Sequence, residues 1–300
     1  MKNSIASREK KNLLFCLALL VVPIVVYIVL YIGVNVNTVK LVFVRYESGK
    51  TVFAGFDNFK TVFAEMFGTK MWGKMLLNSI IVFLFSLLKT PLTWIVSYYI
   101  YKKSYKWTNV VKIILFIPSI LSIMVTVLVY SYFTQSAIPG IIEAITGNPV
   151  PGLLSNPKTR FITLVMFGYW NGFGSGMIIY LNAMSAISQS TVEAAELDGV
   201  SFMQEFFHIT LPMIYSTFKS LFIVSLTAIF TSQFNLFEFY GTSAATDVMT
   251  MGYYLFKETS LASNSDFPRI ATMGLIITCI SLPITFAIRH LLDKIDPMEN

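Results

Sequence analysis

Six stretches of this 300-residue chain are apolar over roughly the length of a bilayer's hydrocarbon core, and this limits the fold more than anything else in the sequence. A helix needs about 20 residues to cross that core. The stretches lie near 13–34, 75–99, 112–134, 160–183, 217–240 and 270–292. In lipid every backbone N–H and C=O must be satisfied within the protein, which leaves helices or closed barrels. The ten-residue alternation of a barrel strand does not occur. An all-α membrane protein of six transmembrane helices is therefore predicted. Composition agrees: hydrophobic residues make up 55% of the chain, charged residues only 13%, and mean hydropathy is +0.67.

Orientation follows from the short Lys/Arg-rich flanks. Lys2, Arg8, Lys10 and Lys11 precede the first stretch, and Lys102, Lys103, Lys106 and Lys112 cluster between the second and third. Both clusters point to the cytoplasm, so both termini are predicted there. The first apolar run is too long for a cleavable signal peptide and no A-x-A site follows it. The net charge of +6 is dispersed over membrane flanks and gives no nucleic-acid footprint. Cys16 and Cys279 fall inside spans, as packing residues rather than a disulfide framework.

One polar segment breaks this pattern. Glu193-Ala194-Ala195-Glu196-Leu197-Asp198-Gly199 is followed by Ile209-Thr210-Leu211-Pro212, on the cytoplasmic side by the charge argument. It reads as two short helices around a glycine. Ser190 with Glu193, and Ser201 with Gln204, have capping-box spacing, and Gly199 stands where a left-handed helix stop is cheapest. An amphipathic interfacial helix is the plainer reading. Such helices usually carry Lys and Arg on the polar face, whereas this one carries Glu193, Glu196, Asp198 and Glu205. A docking surface for a partner protein fits better.

Signals of chemistry are weak. Glu47-Ser48-Gly49-Lys50-Thr51 lacks the earlier glycine of a phosphate-binding loop, since Val44 stands there. Gly172-Phe173-Gly174-Ser175-Gly176 is not a dinucleotide fingerprint, and within a span its small residues permit close helix approach. His208 and His290 lack metal-ligand spacing, and no catalytic constellation is evident. The chain reads as no enzyme, with no metal site and no cofactor of its own.

Polar residues inside the spans are costly to bury and mark candidate pathways. Lys89 lies mid-span beside Thr90 and Pro91. It lines a pathway, or pairs structurally, or the span is misregistered. Trp170 and Asn171 sit mid-span in the fourth stretch. Gln233, Asn235 and Glu238 lie among Phe230, Phe234, Phe237 and Phe239 in the fifth, and on a continuous helix Asn235 and Glu238 share a face. Aromatic faces beside a few hydrogen-bonding groups suit sugars; helix–helix hydrogen bonding is the alternative reading of each residue.

The spacing of Glu193, Ala194, Ala195, Gly199, Ile209, Leu211 and Pro212 resembles the EAA loop of the permease subunits of ABC importers. Ala54-Gly55-Phe56-Asp57-Asn58-Phe59, Leu77-Asn78-Ser79 and Phe116-Ile117-Pro118 resemble further segments of that family. Phe234-Asn235-Leu236-Phe237 resembles the segment that helps line the sugar site of maltose-type subunits, although Gly241-Thr242-Ser243-Ala244 departs from the family's T-G-G-P. The resemblance is to the first of the two permease types of oligosaccharide importers, maltose-type or glycerol-phosphate-type. It implies a type I importer permease fold with a cytoplasmic coupling helix, including Asp198, that docks into an ATPase groove. It divides the chain into an N-terminus (1–12), a first span (13–34), an extracytoplasmic loop (35–72), a five-helix permease core (73–290) and a tail (291–300). It also implies a bacterial inner-membrane location, a second homologous permease, two cytosolic ATPase subunits that bind ATP and Mg, an extracytoplasmic solute-binding protein, and a sugar as solute. A non-sugar solute resembling glycerol phosphate, a secondary transporter or channel, and a membrane-embedded enzyme are the competing readings.

Overall fold

The computed structural model describes residues 2–47, 49–103 and 107–298. Six helices among them are long and apolar enough to cross a membrane: Asn12–Val42, Lys70–Lys102, Ile123–Thr146, Arg160–Ser185, Tyr215–Tyr240 and Phe267–Lys294. They carry a large exposed apolar surface, as expected where lipid rather than water is the neighbour. Cys16 and Cys279, expected to pack, are both exposed.

The chain divides into two compact units, the first comprising residues 1–68 and 259–277. In it α1 (Lys2–Val26) continues through π-helical turns at Tyr27–Gly33 into α2 (Val34–Val42). The first helix thus runs eight residues past the expected end at 34, because Val34, Val36 and Val39 keep it apolar. The segment expected as a loop is also folded. A two-stranded antiparallel hairpin pairs β1 (Val44–Glu47) with β2 (Lys50–Phe53), and α3 (Asp57–Gly68) follows. Gly49 of the false phosphate-binding motif lies in the turn of this hairpin, at φ +77°, and Lys50 opens β2. Ser48 lies outside the described residues. Asn58 explains the first family-like segment: its amide donates to the carbonyls of Val42 and Val44, both at 2.8 Å, and fixes the exit of α2. Phe43, Phe56 and Phe59 stack around this clamp. Arg269 pairs with Glu65 at 2.8 Å.

The second unit comprises residues 69–258 and 278–300. Its spine is α4 (Lys70–Lys102), which runs through Pro91 without interruption. Then come α5 (Thr108–Ile120) and α6 (Ile123–Tyr132), which continues through a π-helical turn into α7 (Ile138–Thr146). The expected third span, 112–134, straddles a break. Pro118 removes one amide from the α5 ladder, and Leu121 and Ser122 turn extended at ψ 152° and 134°. The membrane-length helix is Ile123–Thr146, and Thr108–Ile120 is a shorter apolar helix. Lys106 of the basic cluster lies outside the described residues.

At the centre is α8 (Arg160–Ser185), packed on α4 and α5. One of its glycines works as the sequence suggests. A Cβ on Gly174 would overlap the backbone of Leu115 and Phe116, so this glycine lets α8 touch α5 directly. Ser97 Oγ bonds the Met177 carbonyl at 3.0 Å across the α4–α8 seam. The Leu77-Asn78-Ser79 segment is a tether: Asn78 donates to the carbonyls of Asp247 and Met249, both at 2.9 Å, and Ser79 Oγ accepts from the Met251 amide at 3.1 Å.

Beyond α8 lie α9 (Gln189–Leu197), α10 (Phe202–Glu205), α11 (Leu211–Met213) and α12 (Tyr215–Thr231). The fifth span is not one continuous helix. α12 stops at Thr231, Phe234 and Asn235 both adopt φ 56°, and the short α13 (Leu236–Tyr240) restarts the helix. Ser232 is held out of the helix because its carbonyl accepts from Thr250 Oγ1 at 2.8 Å, and a Cβ on Gly252 would overlap the backbone of Thr231 and Ser232. The chain then runs through α14 (Met251–Leu261) to α15 (Phe267–Lys294).

Candidate functional site

The acidic segment folds as two capped helices, with one change of cap. Ser188, not Ser190, caps α9; its Oγ accepts from the Thr191 amide at 3.3 Å, and Glu193 pairs with Gln189 instead. This frame buries Val192 and Ala195 against the body of the unit. The second cap is the expected one, with Ser201 and Gln204 satisfying each other's amides at 3.0 and 3.4 Å. Between them the chain makes a Schellman stop: the Val200 amide bonds the Ala195 carbonyl at 3.1 Å and the Gly199 amide bonds Glu196 at 3.2 Å. Gly199 sits at φ +69°, where only glycine is unstrained.

Glu193, Ala194, Glu196 and Asp198 face outward. Glu205 does not; it is buried and pairs with Lys102 at the end of α4, 2.9 Å away. Lys102 also reaches Glu196 at 3.4 Å, so one ammonium ties both short helices to α4. Sequence reasoning missed two outward apolar residues, Leu197 (88% exposed) and Met203 (60%). An exposed leucine at the tip of an acidic helix is the signal that could have found them.

The Ile209–Pro212 segment anchors the loop to the bundle. Pro212 has no amide to offer one turn back, and a π-helical turn, Phe206–Thr210, precedes it. Phe206 and Ile214 are buried with Tyr98 of α4 and Tyr180 and Met184 of α8, and Leu211 packs against them. Tyr98 also donates to the Phe202 carbonyl at 3.2 Å. Ile209 is half-buried beside this core. α9 and α10 are thus joined to α4 by the Lys102 ion pairs, and the loop that carries them packs closely on α4, α8 and α12.

Lys89 borders two cavities, one among α4, α8 and α12 and the other among α4, α8 and Phe234. The first, about 200 Å³, lies between Lys89, Thr93, Gly172, Ser175, Phe218 and Phe222. The second, about 170 Å³, is lined by Lys89, Ser86, Gly168, Tyr169 and Phe234. Lys89 thus lines both cavities and makes no ion pair among the described residues.

Of the other expected pathway residues, none lines either cavity, and only Trp170 joins a ring cluster. Trp170 stacks on Tyr130 at 5.9 Å, and Phe167 joins both to Phe239 of α13. The shared helical face expected for Asn235 and Glu238 does not exist, because Asn235 is the left-handed residue before α13 and Glu238 lies in its first turn. No side-chain hydrogen bond is formed by Asn171, Gln233 or Asn235 among the described residues, and Glu238 Oε2 is buried without a partner.

Residues 89–298 match the family of binding-protein-dependent transport system inner membrane components. The chain belongs to this family. As an inner membrane component it is a multi-pass transport subunit and not an enzyme. It is 23% identical over 203 residues to the arabinooligosaccharides transport system permease protein of Bacillus subtilis, covering 65% of this chain and 63% of the relative. It is 25% identical over 191 residues to the lactose transport system permease protein of Rhizobium radiobacter, covering 60% and 62%. An inner membrane ABC transporter permease protein of Escherichia coli is 30% identical over 140 residues, covering 46% and 45%. The matches thus span less than two thirds of these relatives. The fold extends further: a chain from the crystal structure of a bacterial ABC transporter involved in import of the acidic polysaccharide alginate superposes with a TM-score of 0.79, covering 96% of this chain and 98% of that one at 20% identity. The fold of that chain is therefore shared over nearly all of this one.

Proposed function

We propose that this inner membrane component is the first-type permease of an ATP-driven importer for an oligosaccharide, with both termini in the cytoplasm. The observation that carries this reading is the outward acidic helix, stopped at Gly199 and wired to the cavity-lining helices. An acidic, apolar-tipped helix on a rigid mount is suited to a groove on a cytosolic ATPase. Two ATPase subunits bind ATP and Mg and do the hydrolysis; their closure draws α9 and α10 inward. The pull passes through Lys102, Tyr98 and Phe206 to α4, α8 and α12, which open and close the pathway. Each cavity is smaller than the roughly 300–1,000 Å³ of a complete small-molecule site, which supports a shared pathway finished by a second homologous permease. An extracytoplasmic binding protein delivers the solute.

The sugar reading is supported by relatives named for arabinooligosaccharides and lactose. It is also supported by the ring cluster of Trp170 and Phe239 with the unpartnered Asn171, Gln233, Asn235 and Glu238 nearby in the chain. The test is ATP-dependent uptake of neutral and acidic trisaccharides into proteoliposomes holding the purified complex and its binding protein. Asn235→Ala and Glu238→Gln should each lower uptake severalfold at subsaturating solute, the scale of one hydrogen bond at about 0.5–1.5 kcal/mol. Unchanged uptake in both would remove these residues from the pathway.

A further inference from the structure

Lys89 places a formal positive charge in the middle of a span, and among the described residues it makes no ion pair. It lies 19 residues from Lys70 and 13 from Lys102. The nearer end of the apolar stretch 75–99 is ten residues from Lys89, about 15 Å at 1.5 Å per residue, beyond the reach of a lysine stem toward the interface. Four other basic residues with mostly buried side chains each meet a carboxylate: Lys102 with Glu205 at 2.9 Å, Arg160 with Asp247 at 2.6 Å, Lys219 with Asp293 at 2.9 Å, and Arg269 with Glu65 at 2.8 Å. Lys89 departs from this rule. Neither cavity it lines has an Asp or Glu in its wall.

The space around the ammonium is built by missing side chains. A Cβ placed on Gly172 would stand 3.0 Å from Lys89 Nζ, so glycine there leaves room for the ammonium. Gly176 lines the first cavity and Gly168 the second. Phe218 and Phe222 supply apolar faces to the first cavity and Ser175 and Ser225 supply hydroxyls, that of Ser175 donating to the Gly172 carbonyl at 3.2 Å. A charge in a low-dielectric span is expensive without a partner, and here the open volume takes the place a structural partner would fill.

We propose that Lys89 is an anion-binding group of the translocation pathway and that the imported saccharide carries a negatively charged group, a carboxylate or a phosphate. The ammonium receives that group as the solute passes, while the rings and hydroxyls receive the sugar body. This rests on the importer reading above and adds the charge class of its solute.

The test is uptake in cells carrying the complete importer, using three probes: trigalacturonate, a phosphorylated maltotriose and neutral maltotriose. Wild type should take up an anionic probe, and whichever of the two it takes names the group. Lys89→Met should lower that uptake by roughly 10- to 150-fold, the size of one charge-assisted hydrogen bond. Lys89→Arg should retain most of it, and any residual maltotriose uptake should be equal in wild type and Lys89→Met. Four results would overturn the proposal: uptake of maltotriose alone, uptake of none of the three, anionic uptake unaffected by Lys89→Met, or an equal fall for neutral and anionic probes, which marks a structural ion pair with another subunit. Co-purification of the ATPase is measured on the same cells. An ATPase that stays bound with uptake lost at Lys89→Met separates solute binding from coupling, and an ATPase that is absent sinks the importer reading and this inference with it.

Discussion

Gly199→Val puts the docking argument under its heaviest load. Gly199 is at φ +69°, and a Cβ there would meet no atom within 4 Å. The penalty is therefore in the backbone and not in collision with neighbours. A β-branched residue forced into this region costs roughly 1–3 kcal/mol. The chain can keep the Schellman stop and bear that strain, or release it by breaking the Val200–Ala195 and Gly199–Glu196 hydrogen bonds, each worth about 0.5–1.5 kcal/mol net. Either way the docking-competent shape loses about 1–3 kcal/mol, which lowers its population roughly fivefold to more than a hundredfold. The assay is ATP-driven uptake in proteoliposomes with ATPase retention measured on the same complex. Gly199→Val should lose both while inserting normally, and Gly199→Asn, whose side chain tolerates the left-handed region, should lose far less. Wild-type uptake and full ATPase stimulation in Gly199→Val would refute the reasoning.

Three further outcomes are expected. Lys102→Met strands the buried Glu205 carboxylate; breaking such a pair costs roughly 3–5 kcal/mol, so the variant should melt earlier in detergent and lose ATPase stimulation, with Lys102→Met/Glu205→Leu recovering most of the melting loss. The Lys219 ammonium and the Met298 amide hold the Asp296 carboxyl below its usual 3.8. A depressed carboxylate stabilises the fold above that value and loses the contribution as pH falls through its lower folded value, so the melting gap between wild type and Asp296→Asn should be constant from pH 5 to 8 and shrink only below about 3.8; a gap that changes near neutral pH would contradict this assignment. A cysteine at the exposed Ser190 should react with an impermeant thiol reagent in inside-out vesicles and not in intact cells, and the reverse pattern would overturn the orientation.

The six spans were legible in the sequence because lipid imposes one requirement, and length with apolarity meets it. The Gly199 stop and the Ser201–Gln204 box were legible because capping is local. The first cap was not: Ser188, Ser190 and Thr191 all offer hydroxyls, and the choice falls to the frame that buries Val192 and Ala195. The break before Ile123 carries only Pro118 as a local sign. The break after Thr231 depends on contacts from Thr250 and Gly252, about 20 residues onward. Glu205 read as part of an outward face because its partner, Lys102, stands at the end of a helix more than a hundred residues earlier. Lys89 was visible as an unusual residue, but its cavity is assembled from α4, α8 and α12, and no single stretch of sequence contains it.

The central claim is that α9 is the face on which an ATPase works. Leu197, 88% exposed at the end of that helix, gives it the most direct test. A photo-crosslinking residue placed at 197 in the intact complex should capture an ATPase subunit upon irradiation, and Gly199→Val in the same background should abolish the adduct. Capture of lipid alone, or of no protein, in a complex that still transports would contradict it.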